Sequence, residues 1–95
     1  MINLNSGALE RCEYLKGKID SIYAERALAF SMFTVLYSAP ERYSDGDVHI
    51  SNIEKMNATF EEFKCANEKL IRLVREYNKL APEADKDKIQ LTVHG

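Results

Sequence analysis

One periodic pattern constrains this chain more than any other. Ile53, Met56, Phe60, Phe63, Asn67, Leu70, Val74, Tyr77 and Ala81 recur at alternating steps of three and four. Such spacing puts them on one stripe of a helix, as a heptad seam with one polar member. Ser51 followed by Glu54 reads as a capping box, and Pro82 cannot continue the helix. The pattern predicts a helix over about 51–80.

The first half repeats the signal. Ala8, Cys12, Leu15, Ile19, Ile22, Arg26, Ala29, Phe33 and Leu36 form a second seam, with Ser6 as N-cap and Pro40 as the stop. This predicts a helix over about 6–39. Gly17 lies inside it and costs about 1 kcal/mol relative to Ala, but the seam passes through in phase. Residues 40–50 contain Ser44-Asp45-Gly46-Asp47, which is turn chemistry. Two long helices on a short polar loop make an antiparallel hairpin. The remaining residues, 82–95, end in Lys-Ile-Gln-Leu-Thr-Val-His, whose alternation predicts a short β-strand-like tail, able to pair with Ile2-Asn3-Leu4. At 95 residues the whole reads as one all-α domain.

Facing the seams with Leu36 opposite Ile53 sets Ala29 against Phe60 and Arg26 against Phe63, and brings Arg26 and Asn67 within one heptad step. These two form a predicted buried polar pair, with Glu62 as a second partner for Arg26. Cys12 and Cys65 fall roughly 16 Å apart along the bundle, too far for a bridge, so both are expected as free thiols.

Residues 27–37 exceed what a hairpin needs. They carry no charge and are apolar beyond the seam. Tyr23, Ala27, Phe30, Thr34 and Tyr37 make a second face, with Leu28, Met32 and Val35 beside it. A single partner helix cannot cover all of this, and a patch of that size marks an interface. The expectation is a homodimer whose hairpins form a four-helix bundle.

Charge excludes some functions and leaves others open. Thirteen Lys and Arg against fifteen Asp and Glu give a net charge of −2, which disfavours wholesale nucleic-acid or lipid binding. Lys69, Arg72, Arg75 and Lys79 form a basic ridge on the second helix, joined by Lys64. Glu61, Glu62, Glu68 and Glu76 interleave it, and a solvated, charge-laced face is the plainer reading. Glu41, Tyr43, Asp45 and Asp47 cluster at the hairpin tip, suited to a basic partner. His49 beside Asp45 and Asp47 falls short of a metal site, since neither a calcium-loop Glu nor a zinc-type Cys/His set accompanies it. Cys12 lies on the seam and is expected to be buried and inert, Cys65 has no His placed near it, and no phosphate loop or dinucleotide motif occurs.

The sequence therefore points to a non-catalytic helical interaction module with no cofactor and no metal. It would act as a small adaptor, chaperone or inhibitor that binds and occludes a larger foreign protein. Size and type match antitoxins, immunity proteins and phage anti-defence proteins. The alternative is an oligomeric small-anion or nucleotide sensor, or a nucleic-acid accessory protein, using Arg26 (with Tyr23, Thr34 and Asn67) or the basic ridge. The N-terminus lacks a signal-peptide pattern and no stretch reaches the about 20 apolar residues of a membrane span, so a cytoplasmic location is expected.

Overall fold

A computed structural model of the protein describes residues 6–38, 43–44 and 46–94. Helix α1 covers Ser6–Ser38 and helix α2 covers Ile53–Leu80. Between them, strand β1 (Tyr43–Ser44) pairs antiparallel with strand β2 (Asp47–Val48). The helices pack against each other in antiparallel sense. Arg11 reaches Glu76, Arg26 reaches Asn67 and Phe33 meets Phe60, so partners on α2 fall in number as those on α1 rise. The two short dimensions, 22 and 16 Å, leave space for two helices side by side and no third layer.

Helix α1 runs unbroken through Gly17. A Cβ built there meets nothing within 4 Å, so the glycine serves no packing purpose. Gly17→Ala is expected to stabilise the hairpin by about 1 kcal/mol, a rise of roughly 4–8 °C in a thermal melt followed by circular dichroism. No rise would mean that the helix bends there in solution.

Helix α2 starts differently from the expected capping box. The N-cap is Asn52, whose Oδ1 accepts from the Lys55 backbone N–H at 3.1 Å, and the helix begins at Ile53. Asn caps as well as Ser, and here it stands where its side chain reaches the third helical N–H. Glu54 then lies in the first turn, where the helix dipole favours an anion.

The core lies at the open end of the hairpin. Cys12, Leu15 and Ile19 of α1 pack with Leu70, Val74 and Tyr77 of α2, and with Ala81 and Ala84 beyond it. Leu15 is fully buried. Both cysteines are free, Cys12 buried and Cys65 exposed.

Toward the tip the seam of α2 rotates. Thr59 and Ala66 are buried, whereas Ile53 and Phe60 of the expected seam are 58% and 49% exposed. Thr59 can be buried because its hydroxyl donates within its own helix, at 2.9 Å from the carbonyls of both Lys55 and Met56. Ala29 and Ala66 are also buried, and small side chains let the helices approach closely. The ring pairs here are Phe30 with Phe63 (centroids 6.0 Å apart) and Phe33 with Phe60 (6.4 Å), one helical turn displaced from the expected register.

The tail departs from its expected form. Residues 86–94 carry no strand. Ile2, Asn3 and Leu4, its suggested partners, lie outside the described residues. After Leu80 the chain makes one more turn over residues 81–85. The Lys86 N–H donates to the Ala81 carbonyl (2.8 Å) and the Asp85 N–H to that of Pro82 (3.3 Å), with Asp85 at φ 53°. This is a Schellman closure, which satisfies carbonyls left open at a helix end. It sets Ala84 into the core. Asn78 then grips the returning chain at two points, donating through Nδ2 to the Ile89 carbonyl and accepting through Oδ1 from the Ile89 N–H, both at 2.8 Å. Two satisfied backbone groups on Ile89 replace what strand pairing would have supplied.

Candidate functional site

The hairpin is capped by its tail at the open end and bare at the other. Among the described residues, ten of the thirteen exposed large apolar side chains lie between residues 23 and 60. Three consecutive positions illustrate the cause: Ala29 faces α2 and is buried, while Leu28 and Phe30 on either side of it are 64% and 57% exposed. A helix with charge on neither flank presents apolar surface wherever its partner does not reach.

The residues expected to form a self-association face sit together on this surface. Tyr23, Ala27, Phe30, Thr34 and Tyr37 are all exposed on α1. Thr34 donates its hydroxyl to the Phe30 carbonyl at 2.9 Å, so its polar group is already used inside the helix. Leu28, Met32 and Val35 lie on the opposite flank, exposed as well. There a groove of about 330 Å³ runs between the helices, lined by Leu28, Met32, Cys65 and Ala66 and flanked by Glu25, Glu62 and Lys69.

At the tip, Gly46 adopts φ +83°, the left-handed conformation a tight hairpin turn requires. Tyr43 lies in β1 and Asp47 in β2, while Glu41 and Asp45 fall outside the described residues. Asp47 and His49 approach each other, with Oδ2 and Nε2 3.4 Å apart. Among the described residues, no group of three His, Cys, Asp or Glu side chains converges as metal ligands do. Sequence reasoning missed Val48 and Ile50, 68% and 84% exposed, which add apolar surface to an acidic tip. Their β-branched chemistry two residues apart was the available signal.

The polar pair forms as expected. Arg26 donates through Nη1 to Asn67 Oδ1 at 2.8 Å in a half-buried position. Its guanidinium also lies over the Tyr23 ring (5.0 Å) and near that of Phe63 (5.8 Å). Hydrogen bond and ring contacts together satisfy a cation partly removed from water. Asn67→Leu strands that cation and is expected to cost about 1–3 kcal/mol, whereas Arg26→Leu with Asn67→Leu recovers most of it. Chemical unfolding of the two single variants and the double variant measures the coupling. Strict additivity would mean that the bond contributes nothing.

No family model, curated protein or solved structure matches this chain. Lys69, Arg72, Arg75 and Lys79 are exposed along α2. Glu76, between them in sequence, is drawn off to Arg11 at 2.6 Å across the helix pair. That hydrogen bond raises the Arg11 pKa above its ordinary value and outweighs desolvation. Lys16 pairs with Asp20 at 2.7 Å. No described helix is long and apolar enough to cross a membrane.

Proposed function

We propose that this protein is a non-catalytic interaction module. It self-associates through the bare half of its hairpin and presents the remaining surface to a larger protein that it occludes. The observation that carries this reading is the concentration of large exposed apolar side chains between residues 23 and 60. At about 100 Å² of accessible area for each half-exposed large side chain, the eight on the two helices, leaving out Val48 and Ile50 at the tip, offer roughly 800 Å². A standard interface removes about 800 Å² from each partner. A second hairpin is the simplest occupant, because two such hairpins complete a four-helix bundle.

Function then falls to what the dimer leaves free. The acidic tip, with Val48 and Ile50 beside Asp47, suits a basic partner of the kind that small inhibitors and immunity-type proteins block. Among the described residues no three His, Cys, Asp or Glu side chains converge, and the grooves are open, which favours binding over catalysis. A cytoplasmic location accords with two free thiols.

Hydrogen exchange read by mass spectrometry at low and high micromolar concentration tests the reading. Peptides covering 23–38 and 53–63 are expected to gain protection with concentration, while those covering 70–84 stay unchanged. Exchange independent of concentration throughout would rule out self-association through this surface.

A further inference from the structure

At the opposite end from the bare surface, α2 and the tail border an open cleft of about 430 Å³ lined by Arg75, Asn78, Lys79, Pro82 and Lys88. Three of the five are cations, and no carboxylate lines it. Glu83 and Asp87 adjoin it in sequence without contributing to its walls. Among the described residues, Arg75, Lys79 and Lys88 take part in no ion pair, whereas Arg11 and Lys16 each do.

The convergence is built by the fold. Arg75 and Lys79 are four apart on one helix face. Lys88 comes from beyond the helix, returned by the closure that joins Lys86 to Ala81. Asn78 fixes its place by holding Ile89, the next residue, through both backbone groups. That amide is occupied, so Asn78 positions a cation and is not itself a ligand. Like charges gathered around a concavity focus positive potential there, which an anion relieves.

We propose that this cleft binds a pyrophosphate group. Three cations match its charge of about three at neutral pH. Arg75 supplies a planar fork suited to phosphate oxygens, and the lysines supply point charges. Nucleic acid fits less well: no aromatic side chain lines the cleft for base stacking, and the chain carries a net charge of −2. The proposal uses none of the residues assigned to self-association and stands or falls apart from it.

The test is titration of the full chain with sodium pyrophosphate at low salt, followed by calorimetry and amide NMR. Saturable 1:1 binding is expected, with shifts confined to residues 75–89 and affinity falling as salt rises. Lys88→Gln should weaken it about threefold to fivefold. Lys69→Gln removes the same charge from outside the cleft and should leave affinity within about twofold. Asn78→Ala, which retains all three cations but frees the tail, should weaken binding as Lys88→Gln does. A nucleoside diphosphate titrated in parallel identifies the source: tighter binding points to a nucleotide, equal or weaker binding to the free anion, and both support the site. Three results overturn it: no saturation at millimolar pyrophosphate, equal losses in Lys69→Gln and Lys88→Gln, or binding of a single-stranded oligonucleotide without binding of pyrophosphate.

Discussion

Replacing Phe30 and Val35 together with Glu is expected to leave a folded, monomeric hairpin. Phe30 and Val35 lie on the two flanks of α1 left bare by α2, 57% and 68% exposed. Whichever flank a second copy covers, one of the two is buried with it, and a carboxylate buried without a partner costs several kcal/mol. Symmetry applies each substitution twice. A loss of about 3 kcal/mol or more corresponds to weakening of at least a hundredfold. The hairpin itself loses little, chiefly the Phe30–Phe63 ring contact at 6.0 Å, which is worth about 1 kcal/mol. Sedimentation velocity reports mass, and circular dichroism reports the helices. Unchanged mass with unchanged helicity would place any self-association elsewhere. Loss of helicity would mean that these side chains support the single hairpin, contrary to their exposure.

Leu15→Ala should have the largest effect on stability of any single substitution on α1. Leu15 is fully buried and sits amid Cys12, Ile19, Leu70 and Val74. Removing its branched end leaves a cavity that a rod of two helices cannot fill by collapse, at a cost of about 3–5 kcal/mol. A domain of this size has about 5–15 kcal/mol in total. The urea midpoint should fall steeply with the slope unchanged. Leu28→Ala is the control on the same helix. Leu28 is 64% exposed, and its loss should change the stability of a single hairpin by no more than about 0.5 kcal/mol. Equal effects from the two would contradict the location of the core.

Periodicity made much of this legible in the sequence. A seam repeating at three and four positions over two stretches dictates two helices, and the short polar link dictates their antiparallel sense. The Arg26–Asn67 bond could be expected because both residues interrupt the seams at nearly the same level. Free thiols could be expected from helical rise alone. What escaped was what periodicity does not encode. Thr59 looks polar in a sequence, yet two bonds to its own helix make it fit for burial, and the seam of α2 turns to include it. The tail alternates like a strand, but Asn78 satisfies Ile89 from the side and leaves no need for one. Asn52 displaced Ser51 as the cap because both are competent and only the geometry of the entering chain decides. The apolar flanks of α1 were visible in the sequence, since the uncharged run over residues 27–37 has no solvent face to offer. The cleft joining Arg75, Lys79 and Lys88 was not, because Lys88 reaches it only through the closure after Pro82.

The central claim is that a second copy of this chain covers apolar helix surface within residues 23–38 and 53–60. Light scattering of the wild-type protein from low to high micromolar concentration tests it most directly. The expected result is a mass of twice the 10.9 kDa chain, reached and held as concentration rises. A mass of one chain across the whole range, with a dye for exposed apolar surface binding strongly, would contradict it and assign that surface to a different protein.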